Sequence, residues 1–474
     1  MKITITQNGA EQATASAETS TATPDANLDF AKSPGTWQSS KPNAPLLVPA
    51  KFGDLELPLW PTCADGSLTL AEELEGFHQF GGETICTTVD YPTDNGPLAV
   101  PVYTNEYWTA KQRQASSLHQ ISYRASFKAE LPRFFIERLS RPGDIVLDPF
   151  GGRGTTAVES GLLGRVPYAN DLNPVSWFFT SPRLHPPTWE ELVGRLKEMN
   201  LNYQGEIRED LLAFYHPDTL REIHALRACF LARRLAGEFD HIDEWLCMVV
   251  MNRLTGQSDG FLSARTMPPT LAVSPKSQLR INTKNNQIPE KRDARAIILT
   301  KSLQLLSDVD AYVRQTLATA SASKKLITGP AANMDEIPAN TVDLVVTSPP
   351  FLNIVNYAKD NWLRCWFLDV DPASLQLTVT SRLDKWAEAM TGVLRELHRV
   401  LKPGGRMAFE VGEVRRGDIK LETTVLPCGV AAGLIPELVM IHVGDFTKNS
   451  HCWNVRNGIG GTNTNRIVVF RKDD

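Results

Sequence analysis

The alternation of hydrophobic and polar positions along the chain predicts a sheet of buried strands with helices between them. Short apolar runs of strand length occur at residues 145–148, 166–169, 325–328, 342–346, 406–411, 434–443 and 466–470. A clear segment with helical spacing, 384–401, is stopped by Lys402-Pro-Gly-Gly405. The last two strands enclose a Gly/Asn-rich loop, which predicts a closing antiparallel hairpin. Strands that alternate with helices predict an α/β domain with an open sheet.

The first of these strands runs directly into a glycine-rich loop, Asp148-Pro-Phe-Gly-Gly-Arg-Gly-Thr-Thr156. Glycines serve where a backbone needs unusual φ angles or must approach a ligand closely. We expect Thr155 or Thr156 to cap the following helix. The dinucleotide pattern G-x-G-x-x-G is not matched.

The second strand ends in Asp171, 17 residues after Gly154. An acid at the end of strand two stands where it would accept hydrogen bonds from both hydroxyls of a ribose. An acid after a strand is otherwise usually only solvated. Together with the glycine loop, Asp171 predicts a nucleotide-type cofactor at the carboxyl ends of the first two strands.

The strand Val342–Val346 is followed by Thr347-Ser-Pro-Pro-Phe351, which we call the lip. Prolines cannot donate backbone hydrogen bonds, but the carbonyls around them are acceptors held in nearly fixed directions. Such a lip suits a flat ring that bears an amino group, with Phe351 stacked on the ring face. A Ser-Pro-Pro sequence after a strand is by itself most often a turn.

Composition shifts along the chain predict five regions. The first is poor in large apolar residues and rich in Ala, Thr, Ser and Pro, which predicts a disordered leader. The regions are the leader (1–45), a small N-terminal cap (46–104), the first part of the sheet domain with the cofactor loop (105–182), a helical and basic insertion (183–320) and the second part with the lip (321–474).

The formal net charge of −5 argues against a uniformly basic surface, so binding to a polyanion would need a local basic patch. Between Arg253 and Arg295 the chain has eight basic and three acidic residues. A charge run of this kind is often only a solvated loop. Because the insertion is long, we expect it to face phosphates and read a target. The candidate nucleic-acid contacts are Arg253, Arg265, Lys276, Arg280, Lys284 and, beyond the lip, Tyr357.

The seven cysteines are scattered, without a Cys-x-x-Cys pair or a histidine at ligand spacing. This pattern is typical of reduced thiols in a cytoplasmic protein, and we expect no metal site. The sequence has no apolar run near 18 residues and no signal-peptide core, so we expect neither a membrane span nor export.

The motifs together resemble the amino-methylating DNA methyltransferases, the cytosine-N4 and adenine-N6 enzymes. The stretch Gly143–Thr156 is similar to their S-adenosylmethionine loop, and the lip looks like their catalytic motif in its usual cytosine-N4 form, where adenine-N6 enzymes more often have Asp-Pro-Pro-Tyr. Val400–Gly405 and Arg466–Phe470 resemble later sheet motifs. Ser122–Pro132 resembles the segment that covers the methionine of the cofactor.

The resemblance implies a class I S-adenosylmethionine-dependent methyltransferase fold, a Rossmann-like seven-stranded sheet with a largely helical insertion. It implies S-adenosylmethionine as cofactor. The implied cofactor-binding residues are Tyr123, Asp148, Phe150, Gly151, Gly152, Gly154, Thr155, Thr156, Asp171, Leu172 and Asn173. The implied catalytic residues are Ser348, Pro349, Pro350 and Phe351.

The implied reaction is methylation of an exocyclic base amine in duplex DNA, with the base flipped out and stacked on Phe351 and Tyr357. Cytosine N4 is favoured and adenine N6 is the alternative. The cofactor loop precedes the lip, whereas many cytosine-N4 enzymes have the reverse order, and this weakens the choice of base. A cognate restriction endonuclease is a possible partner.

Two further readings stay open. An RNA guanine-N2 methyltransferase has a similar loop and lip but normally carries an N-terminal RNA-binding domain. A non-enzymatic nucleic-acid-binding module with this fold would have no physical need for both the lip and Asp171. A Gly-Asp in many relatives is Gly329-Pro330 here, so the contact to the adenine of the cofactor must come from elsewhere, from Asn333 or a backbone group.

Overall fold

The computed structural model describes residues 68–80, 82–93, 96–109, 115–123, 126–268, 272–350, 357–371, 380, 382–414, 419–444 and 464–474. It also describes two pairs of short strands, Lys51–Phe52 with Leu55–Glu56 and Arg456–Asn457 with Gly460–Gly461. The predicted leader, residues 1–45, and the lip residue Phe351 lie outside the described residues.

A nine-stranded sheet forms the centre of the described part of the chain. Its strands are β1 (Ile85–Thr93), β2 (Gly96–Asn105), β3 (Ile145–Asp148), β4 (Val166–Asp171), β5 (Lys325–Thr328), β6 (Val342–Thr347), β7 (Leu401–Val411), β8 (Leu434–Val443) and β9 (Thr464–Lys472). Across the sheet their order is β1-β2-β8-β9-β7-β6-β3-β4-β5.

The strand order confirms the fold class predicted from the sequence. Strands β5, β4, β3, β6 and β7 are parallel neighbours, and β9 is antiparallel to both β7 and β8. The chain builds outward from β3 through β4 to β5, and then returns to the other side of β3 with β6. A crevice opens at such a reversal of strand order, outside the carboxyl ends of the strands, and ligands of open α/β sheets bind there.

Part of the region predicted as an N-terminal cap belongs to this sheet. Strands β1 and β2 form a hairpin, and β2 adds to the sheet as a parallel neighbour of β8. The domain boundaries themselves stay predictions.

Helices pack on both faces of the sheet. They are α1 (Leu70–Glu75), α2 (Glu130–Leu139), α3 (Thr155–Leu162), α4 (Val175–Leu184), α5 (Trp189–Glu198), α6 (Pro217–Ala236), α7 (His241–Arg253), α8 (Pro275–Asn285), α9 (Ala294–Leu305), α10 (Ala311–Ser321), α11 (Tyr357–Leu368), α12 (Leu383–Val400) and α13 (Glu422–Ala431). None of the described helices is long and apolar enough to cross a membrane.

The apolar core lies between the sheet and these helices. Successive residues of β6 face opposite sides, so Leu344 shares a cluster with Phe135 of α2, whereas Val345 shares one with Leu394 of α12. A third cluster joins the insertion to the sheet domain, since Trp245 of α7 packs with Phe179 of α4. The insertion therefore shares its core with the cofactor half of the sheet.

Helix α8 lies inside a stretch rich in Gly, Pro and Asn, residues 255–289, where the sequence shows no helical periodicity of apolar residues. The helix starts at Ser274, whose hydroxyl accepts a hydrogen bond from the Ser277 N–H, and it ends at Asn286 in the left-handed conformation. Its buried positions are the polar Gln278 and Asn282. Because the buried side is polar, no apolar stripe revealed the helix.

Candidate active site

The glycine loop after β3 takes a shape that needs glycine at Gly154. This residue has φ of 76°, and a Cβ placed there would overlap the side chain of Thr180 on α4. Its N–H donates to the carbonyl of Gly151 at 2.6 Å, and the Gly151 N–H donates to Asn170 on β4 at 2.8 Å. The loop therefore folds back tightly between the first two parallel strands.

The two threonines after the loop do not cap α3, so that expectation was wrong. The N-cap residue is Gly154, and no side chain caps it. The Thr156 hydroxyl donates to the carbonyl of Val346 at 3.2 Å, and the Thr155 hydroxyl accepts from Arg153 at 3.0 Å. The contact of Thr156 ties the loop to the strand that ends in the lip.

Asp171 fixes the loop from the end of β4. One carboxylate oxygen accepts from the Gly152 N–H at 2.7 Å and the other from the Asn173 N–H at 2.8 Å. Burial raises the pKa of Asp171, and these two backbone hydrogen bonds oppose the rise. Each carboxylate oxygen keeps capacity for a further donor, as the predicted ribose contact requires.

Asp148 links the cofactor loop to the lip. One of its oxygens accepts from the Phe150 N–H at 3.0 Å and from the Thr347 hydroxyl at 2.6 Å. The other oxygen is buried and has no hydrogen-bond partner among the described residues. Burial raises the pKa of Asp148 to about 6. A buried carboxylate oxygen with free capacity beside the loop fits a cofactor that brings a positive charge or a donor.

The lip follows β6 at the level of the cofactor loop. Pro349 is buried, Ser348 is half-buried, and the carbonyl of Pro350 accepts from the indole N–H of Trp386 at 2.9 Å. In the sequence, Trp386 lies within the segment of helical spacing, 384–401, with nothing to mark it as a site residue. Its indole occupies the Pro350 carbonyl and so orients the lip. Tyr357 begins α11, but its side chain lies outside the described residues.

The structure adds Glu410, a site residue that the sequence analysis missed. Thr347 pairs with Phe409 across β6 and β7, so Glu410 lies directly beyond the end of the lip strand. Its buried carboxylate accepts hydrogen bonds from Ser348 and, at 3.0 Å, from the Asn465 side chain. Burial raises the pKa of Glu410, and both hydrogen bonds oppose the rise. A lone acid near the carboxyl end of an apolar strand was the signal available in the sequence.

The five basic residues predicted to contact nucleic acid fall into two groups. Arg253 is half-buried, with its guanidinium 4.0 Å from the centroid of the Phe261 ring, and burial lowers its pKa to about 10. The other four are exposed, and the structure gathers three of them on one helix, α8. These four are Arg265, Lys276, Arg280 and Lys284.

Known proteins resemble this chain in sequence. Residues 94–175 match a family model described as DNA methylase. The Type II methyltransferase M.BsoBI of Geobacillus stearothermophilus is 24% identical over 296 residues, which are 55% of this chain and 54% of that protein. The Type II methyltransferase M.BglII of Bacillus subtilis is 30% identical over 116 residues, 24% of this chain and 27% of that protein.

These matches support a DNA amino-methyltransferase family for the matched part of this chain. They bear out the family predicted from the glycine loop and the lip, and S-adenosylmethionine is the cofactor that this family implies. The chain spans about half the length of the first curated relative and about a quarter of the second. The individual site residues stay predictions.

Solved structures have low structural similarity to this chain. A TehB-like SAM-dependent methyltransferase from Corynebacterium glutamicum is 9% identical, with a TM-score of 0.27, over 72% of this chain and 87% of that one. The fold assignment therefore rests on the strand order of the sheet.

Proposed function

We propose that this chain transfers a methyl group from S-adenosylmethionine to an exocyclic base amine of duplex DNA, with cytosine N4 as the favoured target. The observation that carries the proposal is the buried Glu410 carboxylate, which lies beside Ser348 of the lip at the end of the neighbouring strand. Ser348 directly follows Thr347, whose hydroxyl donates to Asp148 at the start of the cofactor loop. The lip is therefore next to the cofactor loop. Adenine N6 is the alternative target.

The lip and Glu410 have complementary tasks in this reaction. When bound, the cofactor supplies an electrophilic methyl group. The Pro349 carbonyl and the Ser348 hydroxyl accept from the N–H groups of the amine, which favours a tetrahedral nitrogen as it attacks. As the N–C bond forms, the bond between sulfur and the methyl group would break and leave a neutral thioether, and the amine gives up a proton, which Ser348 can relay to the Glu410 carboxylate. The ionised form of Glu410 is therefore the active one.

Glu410→Gln should lower the rate of methyl transfer by about 10²-fold to 10⁴-fold, because glutamine cannot take up the proton. Burial raises the pKa of Glu410, so activity should rise with pH through a value above the ordinary range of a glutamate. Steady-state rates measured between about pH 5 and 9 should show this acid limb in the wild type and not in the variant.

The control for Glu410 is Glu437→Gln, which removes a carboxylate at the opposite end of the sheet, where it pairs with Arg406 at 2.8 Å. Its pH profile should match that of the wild type. An unchanged acid limb in Glu410→Gln would show that another group accepts the proton.

Helix α8 supports duplex DNA as the substrate. Lys276, Arg280 and Lys284 are spaced four residues apart, so they form one exposed row along the helix. On the opposite side, Gln278 donates to the Arg265 carbonyl at 3.0 Å and Asn282 donates to the Ala213 carbonyl at 2.7 Å. The helix has no acidic residue. Polar contacts therefore fix a purely basic face, which suits phosphates.

The basic row is connected to the lip through α11. The indole N–H of Trp362 on α11 donates to the carbonyl of Ala272 at 2.7 Å, close to the start of α8. α11 is the first described element after the lip. A duplex bound along α8 would therefore lie against the element that leads to the candidate base pocket.

Replacing Lys276, Arg280 and Lys284 together by glutamine should weaken duplex binding and lower the slope of log K against log salt by about 2 to 3, because each lost phosphate contact releases about one counterion less. Fluorescence anisotropy of a labelled duplex between about 50 and 200 mM salt measures the slope. The control is Lys291→Gln, since Lys291 pairs with Asp218 at 3.1 Å. An unchanged slope in the triple variant would show that the duplex does not contact α8.

Labelled S-adenosylmethionine and duplex DNA test the reaction itself. The methylated duplex is digested to nucleosides, and the expected product is N4-methylcytosine. N6-methyladenine would assign the alternative base. Label that enters only RNA would contradict DNA as the substrate.

A further inference from the structure

Five consecutive carbonyls in the segment before the cofactor loop are bound by side chains from elsewhere in the fold. We call this segment, residues 118–122, the strap. Arg183 donates to the Leu118 carbonyl at 3.2 Å, Lys301 to that of Gln120 at 2.5 Å, and Arg153 to those of His119 at 3.5 Å and Ile121 at 3.2 Å. The Ser122 carbonyl accepts from Arg364 at 3.1 Å and from Asn252 at 3.4 Å. The strap is thus held by donors instead of by strand pairing.

The donors come from several parts of the fold. Arg153 belongs to the loop, Asn252 and Lys301 belong to helices α7 and α9 of the insertion, and Arg364 belongs to α11. Burial lowers the pKa of Lys301 to about 7, so keeping the ammonium ion there is costly.

The residue after the strap, Tyr123, lies against the cofactor loop. A Cβ placed at Gly152 would be 3.9 Å from the Tyr123 ring, and this ring packs edge-on against Phe179 with centroids 5.7 Å apart. The Arg364 guanidinium lies 5.6 Å from the centroid of Tyr123 and 5.3 Å from that of Phe179. Arg364 therefore holds both the last strap carbonyl and the ring that covers the loop.

We propose that Arg364 is a positioning residue that couples binding of a duplex to the position of the Tyr123 ring beside the cofactor loop. The inference rests on the proposed function. Arg364 stands on the helix that follows the lip, and Trp362 ties the same helix to Ala272 near the basic row. A duplex that binds the lip and α8 therefore fixes the position of α11. Through Arg364, α11 in turn fixes the positions of Ser122 and Tyr123. Such coupling is reciprocal, so the duplex tightens cofactor binding and the cofactor tightens duplex binding.

The test compares Arg364→Met, Arg364→Lys and the control Arg234→Met. Arg234 also donates to a carbonyl of α11, that of Leu368 at 3.0 Å, and lies over the Phe178 ring, but its described contacts do not include the strap. Calorimetric titration gives the Kd for S-adenosylmethionine with and without a duplex. The duplex should tighten cofactor binding of the wild type and of Arg234→Met about 5-fold or more, and that of Arg364→Met by a factor near one.

Kinetics separate positioning from a general loss of structure. Arg364→Met should raise KM for the cofactor more than it lowers kcat, and Arg364→Lys should recover most of the coupling because it keeps a donor and a charge. Thermal unfolding of the three variants identifies any that are destabilised.

Either of two results overturns the inference and leaves the proposed function standing. One is Arg364→Met with the wild-type coupling factor, and the other is a wild type that methylates a duplex without any effect of that duplex on cofactor affinity. If the wild type methylates no duplex, the proposed function fails instead. The titration without nucleic acid then decides the positioning role, since weaker cofactor binding by Arg364→Met than by Arg234→Met supports it and equal binding overturns it.

Discussion

Replacing Ser348 by alanine should lower the rate of methyl transfer by about 10²-fold to 10³-fold and leave the Kd for S-adenosylmethionine unchanged. The substitution removes the hydroxyl that bonds to Glu410 and with it an acceptor for the amine as positive charge develops on its nitrogen. The cofactor loop should keep its shape, because Asp148 bonds to Thr347 and not to Ser348. Single-turnover rates with saturating cofactor and duplex measure the loss, and calorimetry measures the affinity.

A matched control for Ser348 is Ser181→Ala. The Ser181 hydroxyl also donates to a carboxylate, that of Glu244 at 2.7 Å, at the contact between α4 and α7. It should keep nearly the wild-type rate, because any loss there comes only from packing. If Ser348→Ala transferred methyl groups as fast as Ser181→Ala, the lip would have no role in the chemistry.

Replacing Asp171 by alanine should raise the Kd for S-adenosylmethionine by about 10-fold to 10³-fold. The carboxylate accepts two backbone hydrogen bonds that set the loop, from Gly152 and Asn173, and hydrogen bonds to a charged group each contribute about 1.5–3 kcal/mol. The predicted contact to the ribose would be lost as well. Calorimetric titration with the cofactor in the absence of DNA measures the change directly.

A cofactor analogue without the ribose 2′-hydroxyl separates the two roles of Asp171. If the carboxylate holds the ribose, the analogue should bind the wild type more weakly than the natural cofactor, but both should bind Asp171→Ala equally. The control is Asp144→Ala, whose carboxylate accepts from the Arg141 N–H at 2.7 Å at the other end of β3. Unchanged affinity in Asp171→Ala would contradict a cofactor role for this residue.

Local sequence patterns were sufficient to predict many of the helices and strands. The helix predicted at 384–401 is α12, Leu383–Val400, and the closing hairpin of β8 and β9 is antiparallel as expected. These elements are fixed by side-chain periodicity and by breaking residues close in sequence, so their own residues contain the information. Helix α8 escaped prediction because its buried side is polar, and the partners of that side, Arg265 and Ala213, lie outside the helix.

In the candidate site, too, local motifs were predictable and contacts between distant residues were not. The glycine loop, Asp171 and the lip are contiguous motifs, and the sequence alone placed them in the order of a methyltransferase sheet. Glu410 and Trp386 contact the lip from strands and helices far along the chain. Contacts between distant residues depend on strand order and register, and single-sequence patterns do not encode these.

The sequence by itself therefore pointed to the family and its cofactor and located the glycine loop and the lip, because glycine, proline and strand signals act over a few neighbouring residues. Only the tertiary structure decided which groups meet them. It joined Ser348 to Glu410, set the exposed row of α8 apart from Arg253, and fixed the strap through donors such as Arg364. The physical reason is that a buried carboxylate or guanidinium obtains its partners from whichever element packs beside it, and packing is settled only when the whole sheet has formed.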